Sequence, residues 1–213
     1  MGNTKALDKA ALPQLASELD ANQVAGWRKD ATLLAGHTAS TEQIGQLAAV
    51  LAESPHLQRL AKLFADDVPA LMAGNWERVL NESKEKWQTA YKANPNDQGL
   101  LADIRKFRNR SHLAIALSEL LAFINIQQSW ALLTQIAEFA LQGVVTSLLK
   151  GRAVEECGWV IIGLGKLGAG ELNYSSDIDL IALYDPNADR TDDPHETEKQ
   201  TKYFTKMTRR LSQ

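Results

Sequence analysis

Two carboxylates separated by one residue, Asp177 and Asp179, form the pair in this sequence best suited to chemistry. On a strand, side chains two residues apart point the same way, with their Cα atoms about 6–7 Å apart. Such a pair can share divalent cations about 3.5–4 Å apart, an arrangement that supports in-line displacement at phosphorus. Because Asp-x-Asp is a common pattern, the alternative interpretation is two solvated residues at the start of a strand.

A glycine-rich segment, Gly163 to Gly170, lies directly upstream. A short glycine turn lets backbone N–H groups approach a phosphate chain, and Lys166 adds a positive charge there. The segment also fits Gly-x-Gly-x-x-Gly, the dinucleotide-binding fingerprint. That interpretation requires a parallel crossover of about a dozen residues or more, and only residues 169–176 are available before the next strand. A P-loop fits less well still, because Leu167 follows Gly-Lys where Ser or Thr is required.

Two short strands must position the glycine segment and the acids. The apolar runs 159–162 and 178–184 have the length and composition of strands. The short connection between them suits a hairpin-like return, so the sheet is predicted to be antiparallel or mixed. Alternation in the second run predicts Ile178, Leu180, Ala182 and Tyr184 on one face and Asp177, Asp179, Ile181 and Leu183 on the other.

Helical periodicity dominates from about residue 5 to residue 150. Ser40-Thr41-Glu42-Gln43 has the form of a capping box, and Ser54-Pro55 reads as an N-cap followed by the first helical residue. The pattern further predicts a loop over 94–99, helices over 100–124 and 129–150, a turn-rich loop over 186–194 and a helix from residue 196 onward.

Composition excludes several classes of protein. The chain has 213 residues, of which 45% are hydrophobic, and this argues against disorder. A net charge of −3 gives no general attraction for nucleic acid, and the single Cys157 excludes a disulfide framework or a CxxC site. The longest apolar stretches fall short of the roughly 20 residues that span a bilayer. We therefore expect a soluble cytoplasmic protein that binds neither nucleic acid nor membrane.

A basic cluster, formed by Arg105, Lys106, Arg108 and Arg110, lies on one predicted helix. Such a cluster can bind phosphate or an acidic partner surface, and it can equally be a solvated helix face. The spacing alone does not decide between these interpretations.

The string GLGKLGAGELNYSSDIDLIALYD, residues 163–185, resembles the glutamine synthetase adenylyltransferase/adenylyl-removing family. Members carry Gly-x-Gly-Lys-Leu-Gly, Glu-Leu-Asn and Ser-Asp-Ile-Asp-Leu almost without gaps, although many have Gly where Ala169 stands here. Residues 101–120 are similar to the helical segment that precedes the catalytic part in this family, and residues 54–57 are similar to another helical stretch. More broadly, Gly165-Lys166 followed by the Asp-x-Asp strand resembles the nucleotidyltransferase superfamily that includes DNA polymerase beta.

The resemblance implies an enzyme with two similar catalytic halves. The first half removes AMP from a tyrosine of glutamine synthetase by phosphorolysis, giving ADP, and the second half attaches AMP from ATP. Residues 175–180, Ser-Ser-Asp-Ile-Asp-Leu, resemble the first half. The implied cofactor is Mg²⁺ or Mn²⁺, and the implied partners are glutamine synthetase, a PII-type signalling protein, ATP or ADP, and phosphate.

The same resemblance implies roles for individual residues. Asp177 and Asp179 would be catalytic metal ligands, and Gly165 and Lys166 would form the turn on the phosphate side. Ser176 would contribute to nucleotide or phosphate binding by orienting Asp177, or would only form the turn. Lys166 replaces the serine of the superfamily's Gly-Ser turn, so it trades a hydroxyl donor for a charge.

A site of this type needs a third carboxylate from a later strand. Asp185 cannot supply it, because six residues of extended strand separate it from Asp179 by about 20 Å. In the family the third acid follows the helix that begins here near Glu196. We therefore expect a truncated catalytic domain, and a 213-residue chain that is inactive by itself.

The predicted fold class is α+β, with a helical region over residues 1–152 and the start of a polymerase-beta-like nucleotidyltransferase domain over 153–213. The predicted function is part of a metal-dependent nucleotidyltransferase that regulates glutamine synthetase. The first alternative is a non-catalytic helical docking module with an incomplete catalytic domain attached. The second is a Rossmann protein that binds NAD, which requires a helix of about ten residues or more between Gly168 and Asp177.

Overall fold

The computed structural model describes residues 21–36, 39–93, 97–149, 158–185 and 194–211. Their mostly helical composition with one small antiparallel sheet confirms the predicted α+β class. The described elements are α1 (Ala21–Ala35), α2 (Thr41–Glu53), α3 (Pro55–Leu63), a 3₁₀ turn (Ala65–Asp67), α4 (Val68–Met72), α5 (Trp76–Ala93), α6 (Asp97–Leu120), α7 (Ile126–Leu149), β1 (Trp159–Gly163), α8 (Gly165–Ala169), β2 (Leu180–Tyr184) and α9 (Pro194–Leu211).

The predicted helix starts at Ser40 and Ser54 are both confirmed. The Ser40 hydroxyl accepts from the Gln43 N–H at 3.2 Å, and the Gln43 side chain accepts from the Ser40 N–H at 2.9 Å. This reciprocal pair is a capping box, and it satisfies two N–H groups that lack helical partners. Ser54 caps α3 by accepting from Leu57 N–H at 3.2 Å, with Pro55 as the first helical residue.

Two long helices begin earlier than their sequence pattern predicts. Helix α6 begins at Asp97, so the predicted loop is wrong for 97–99, whereas 94–96 lie outside the described residues. Helix α7 begins at Ile126, where the side chains of Asn125 and Gln128 each accept from the other's backbone N–H at 2.9 Å.

Strands β1 and β2 pair antiparallel. This is one of the two predicted arrangements, antiparallel or mixed. The register aligns Trp159 with Tyr184 and Gly163 with Leu180. Strand β2 therefore begins two residues later than predicted, because β1 ends opposite Leu180. Alternation is confirmed for residues 180–183, since Ile181 and Leu183 are exposed whereas Leu180 and Ala182 are partly buried. Tyr184, predicted on the face of Leu180, is exposed at the end of the strand.

The Rossmann alternative is contradicted by this connection. A dinucleotide-binding unit needs parallel strands joined by a crossover helix. Here β1 and β2 are antiparallel, and the segment between them contains the five-residue helix α8 rather than a helix between Gly168 and Asp177. The Gly-x-Gly-x-x-Gly match is therefore a tight turn that returns the chain beside β1.

Two buried clusters share helix α7. The larger one lies among α1 to α7 and also receives Leu167 and Leu172 from the segment between the strands. The smaller one packs Val145, Leu148 and Leu149 of α7 against Trp159 of β1 and two residues of α9, Phe204 and Met207. Helix α7 thus connects the helical part of the chain with the sheet.

Within the described part of the chain, α7 is the one helix long and apolar enough to cross a membrane by length and composition. The sequence interpretation missed this, because Gln, Ser and Thr residues interrupt the apolar run, in which Glu138 is the one charged residue. In the most apolar 18-residue stretch of α7, 44% is buried, and the helix contributes to both clusters. Core helices have the same properties, so the finding assigns no membrane location.

Candidate active site

The glycine segment is a tight turn between β1 and α8. Gly165 begins α8 with a φ of +55°, a left-handed conformation that costs a residue with a Cβ about 1–2 kcal/mol. Gly168 lies against the end of β1, and a Cβ built there would be 2.6 Å from the backbone oxygen of Gly163. Local geometry therefore requires glycine at both positions.

Asp179 lies beside this turn. A Cβ built on Gly165 would be 3.5 Å from the Asp179 Oδ2 atom, and the Leu164 N–H donates to the Asp179 backbone oxygen at 2.8 Å. The structure thus brings together Gly165 and Asp179, which the sequence assigned to one site. The side chain of Asp179 is exposed at this position.

Asp177 lies in the loop before β2 rather than on the strand. The ladder ends at the pair formed by Gly163 and Leu180, so the prediction that both acids lie on a strand is wrong. Asp177 is exposed, like Asp179, and the two remain separated by a single residue. Their roles as metal ligands stay predictions.

The Ser176 hydroxyl is engaged in a turn with Asn173. It donates to Asn173 Oδ1 at 2.7 Å and accepts from the Asn173 N–H at 3.2 Å. Asn173 Oδ1 also accepts from the N–H of Ser175. Of the two roles considered for Ser176, these contacts favour the turn over orientation of Asp177.

Lys166 projects from the short helix α8. Its side chain is exposed and makes no ion pair with any residue that the structure describes. Its backbone oxygen accepts from the Glu171 N–H at 2.8 Å, which closes the turn after α8. The ammonium is therefore available to solvent near the glycine turn.

The loop that carries the acids is attached to the helices. Leu172 is 4% exposed, within the larger cluster, and its N–H donates to Thr134 Oγ1 of α7 at 3.2 Å. The Tyr174 hydroxyl donates to Glu119 Oε2 of α6 at 3.0 Å. Burial, followed by the Glu119 carboxylate, raises the pKa of the Tyr174 phenol, so the phenol stays protonated. Helices α6 and α7 therefore fix the position of this loop.

A cavity of about 420 Å³ opens where this loop meets the helices. Ser176 and Asp177 line it from the loop, whereas His56 of α3 and Arg108 and His112 of α6 line it from the helical part. Aliphatic residues of α7 form a further wall: Leu133, Ile136, Ala137, Ala140, Leu141 and Val144. Asp177 thus lines a largely apolar cavity, two residues before Asp179, which lies beside the glycine turn.

His112 is held neutral inside this cavity. Burial, and then the positive charge of Arg108 and the proximity of His56, lower the pKa of His112 to about 4. Its ring meets the ring of Tyr174 edge-on at 5.9 Å between centroids. Sequence reasoning missed His56 and His112 as site residues, because they are far from each other and from Asp177 along the chain. Their spacing carries no signal that could have joined them.

The basic cluster divides into three environments. Arg105 and Lys106 are exposed, as a solvated face requires, and Arg108 lines the cavity. Arg110 is 5% exposed and forms a bidentate pair with Asp67. Both interpretations of the cluster were therefore wrong for Arg110, which stabilises the fold instead of meeting solvent or a ligand.

Arg110 also binds Glu82, at 3.0 Å, and so joins α5, α6 and the 3₁₀ turn. The hydrogen bonds that Arg110 donates to the Asp67 carboxylate raise the pKa of Arg110. The hydrogen bonds from Arg110 and Arg78 lower the pKa of Glu82. Arg110 and Glu82 are charged at neutral pH, and their ion pair holds α6, the helix that carries Arg108 and His112.

The acid pair offers a partial ligand set for a divalent cation. Among the described residues, no group of three or more His, Cys, Asp and Glu side chains could hold a metal ion. Asp177 and Asp179 offer exposed carboxylate oxygens, the donors that hard cations prefer. Mg²⁺ commonly binds through one or two carboxylates and completes its shell with water and substrate phosphate. The donor set therefore fits Mg²⁺ or Mn²⁺.

Fold and site together define an α+β protein in which a helical segment supports a glycine turn followed by an acid pair. Residues 44–213 match the family model for glutamate-ammonia ligase adenylyltransferase. The chain belongs to this family. The match includes most of α2, then α3 to α9, the glycine turn and both acids.

Relatives from several bacteria carry the name bifunctional glutamine synthetase adenylyltransferase/adenylyl-removing enzyme. The Brucella suis protein is 30% identical over 182 residues, which cover 78% of this chain and 18% of the relative. The Bartonella henselae protein is 33% identical over 185 residues, covering 80% and 19%, and the Bradyrhizobium protein is 30% identical over 213 residues, covering 94% and 20%. The chain thus spans about a fifth of the length of these relatives. No solved structure matches it.

Proposed function

We propose that this chain forms part of a metal-dependent nucleotidyltransferase that acts on an adenylylated tyrosine of glutamine synthetase. Family membership and the names of the relatives support the enzyme class and the protein substrate. The observation that carries the proposal is the contact of Asp179 with the turn at Gly165, one residue after Asp177. A tight glycine turn beside two carboxylates suits the transfer of a phosphorus-containing group.

The proposed reaction is phosphorolytic removal of AMP, because residues 175–180 resemble the deadenylylating half of the family. An oxygen of inorganic phosphate attacks the phosphorus of the tyrosyl-AMP ester. The bond from phosphorus to the tyrosine oxygen breaks, ADP leaves, and the tyrosine oxygen takes up a proton. A PII-type signalling protein is the proposed regulator, and the cytoplasm is the proposed location.

Asp177 and Asp179 are the proposed ligands of Mg²⁺ or Mn²⁺. A bound cation would offset the negative charge of the phosphate oxygens during displacement at phosphorus. The backbone of the turn at Gly165 and the ammonium of Lys166 would receive the phosphate side of the substrate. Tyr174 and Thr134 would keep the loop fixed on the helices, through the hydrogen bonds to Glu119 and Leu172.

Chemistry by the isolated 213-residue chain is not expected under this proposal. The described residues supply two adjacent carboxylates without a third metal-binding group beside them. A site of this superfamily type requires that third acid for full coordination. Phosphate-dependent release of ADP from adenylylated glutamine synthetase by this chain alone would contradict this part of the proposal.

The test is Mn²⁺ binding, measured by electron paramagnetic resonance on the full chain and two single variants. Asp177→Asn should abolish binding, because it removes one of two charged ligands. Glu171→Gln removes an exposed charge from the same loop and should leave the affinity unchanged. If Asp177→Asn and Glu171→Gln bind Mn²⁺ as the unaltered chain does, the acids are not ligands. The docking-module alternative would then be preferred.

A further inference from the structure

The cavity beside Asp177 contains polar groups that the fold leaves without partners. Arg108 makes no ion pair in the described part of the chain, and its hydrogen bond to Asn109 is long, at 3.4 Å. The ring nitrogens of His112 and the carboxylate of Asp177 make no hydrogen bond to any described residue. Arg108 and Asp177 are exposed and His112 is half-buried, so these groups are free to bind a ligand that enters the cavity.

The remainder of the cavity is apolar and of ligand size. Its volume of about 420 Å³ lies within the range of about 300–1,000 Å³ typical of small-molecule sites. Ala137 and Ala140 contribute small side chains to the wall formed by α7, so space remains for a flat group to lie against that helix. An apolar wall with a few polar groups is typical of sites that bind heterocyclic ligands.

The neutral state of His112 further restricts the chemical groups that a ligand of this cavity can present. A neutral imidazole has one N–H donor and one nitrogen acceptor, whereas Arg108 can only donate. Together they suit a ring edge that carries both acceptors and donors, as a purine does. A tyrosine ring fits the apolar wall equally well, but its ring carbons offer no hydrogen-bond donor or acceptor to His112 and Arg108.

We propose that this cavity binds the nucleoside part of an adenine nucleotide, with the base against α7 and its polar edge at Arg108 and His112. The proposal rests on the proposed function, in which a nucleotide phosphate is handled at Asp177. Its new content is that the helical segment, through α3, α6 and α7, forms the base site. The helices would then determine which nucleotide the acid pair receives.

The test compares ADP with pyrophosphate, which has phosphates but no nucleoside. Isothermal titration in the presence of Mn²⁺ would measure both affinities for the full chain and its variants. The unaltered chain should bind ADP on the order of tenfold more tightly than pyrophosphate, the scale that burial of a ring against an apolar wall supplies. Ala140→Leu fills the space beside α7 and should remove this difference without weakening pyrophosphate.

Two further variants keep the outcome interpretable. His112→Phe retains a ring of similar shape but loses both nitrogens, so it should weaken ADP selectively even if Ala140→Leu fails to fold. Arg105→Gln removes an exposed charge from the same helix, outside the cavity, and should change neither affinity.

Three results would overturn the inference. The first is equal binding of ADP and pyrophosphate by the unaltered chain. The second is full ADP affinity in folded Ala140→Leu or His112→Phe. The third is that either variant loses affinity for an adenylylated tyrosine peptide but not for ADP, which would assign the cavity to the protein substrate. A different result would contradict the proposed function: Asp177→Asn would still bind Mn²⁺.

Discussion

Gly143 of α7 lies directly against the indole of Trp87, so closely that a Cβ built at residue 143 would come within 1.8 Å of Trp87 Cη2. Trp87 is 5% exposed and packs against Phe139 and Phe107, with ring centroids 5.1 and 5.8 Å away. This contact sets the approach of α5 to α7. It leaves no room for a side chain at residue 143 unless the aromatic group moves.

Gly143→Ala should therefore destabilise the protein by about 1–3 kcal/mol, the usual cost of overpacking a core. The same change at Gly45, in the middle of α2, meets no atom within 4 Å. Gly45→Ala should stabilise the protein by about 0.5–1 kcal/mol through helix propensity. Urea unfolding of both variants measures the difference, and a stabilising Gly143→Ala would show that the aromatic group yields without cost.

Arg110→Met should cost about 3–5 kcal/mol of unfolding free energy, because it leaves the partly buried Asp67 carboxylate without its partner. Arg105→Met, on the exposed side of the same helix, should change stability by no more than about 0.5 kcal/mol. Thermal and urea unfolding would measure both. A loss at Arg110 no larger than that at Arg105 would mean that the ion pairs contribute nothing net.

Acidification should destabilise the protein through His112. Its folded-state pKa of about 4 lies below the ordinary 6.5, so the unfolded chain binds a proton first as the pH falls. Stability from this group is complete above pH 6.5 and is lost between about pH 6.5 and 4, by on the order of 3 kcal/mol. The variant His112→Phe removes this titration. It leaves the neighbouring side chains of Arg108, His56 and Tyr174 in place.

The measurement for His112 is the unfolding free energy from pH 7.5 to 4 in the two proteins. The lowered pKa of Glu82 adds its own loss only below its ordinary value of 4.5, so the range from pH 6.5 to 5 reports on the histidines. Equal slopes in this range for the unaltered chain and His112→Phe would contradict the burial of a neutral imidazole.

Gly168→Ala should weaken Mn²⁺ binding by about tenfold or more, the usual effect of disturbing the groups that support metal ligands. The added methyl group would push α8 away from the Gly163 backbone and displace Gly165 from Asp179. Ala169→Gly changes the next residue, which is exposed, and should leave the affinity within about twofold. An unchanged affinity in folded Gly168→Ala would show that the turn does not position the acids.

Local features of the fold were predictable because their causes are local. The capping box at Ser40 and the cap at Ser54 depend on residues three apart, and the structure shows both. The two strands follow from short apolar runs, and the short connection between them correctly favoured an antiparallel return. The proximity of Gly165 to Asp179 follows from the same hairpin-like connection.

Features that depend on distant contacts were not predictable. Arg110 reads as a surface residue until α5 and the 3₁₀ turn bring Glu82 and Asp67 to it. The cavity has no signature in the sequence, because His56, His112 and Asp177 come from three separate segments. Ladder pairing, rather than the apolar pattern, determined that β2 begins at Leu180.

The attachment of the acid-bearing loop to the helices has a consequence for the order of folding. Leu172 and Thr134 are 38 residues apart in the chain, and Tyr174 and Glu119 are 55 apart. Closing such long segments costs entropy that only preformed helices repay, so we expect α6 and α7 to form first and the loop to dock last. In refolding with pulsed hydrogen exchange, the amide of Leu172 should gain protection after those of α6. The acid pair would then be among the last parts of the molecule to reach its final position.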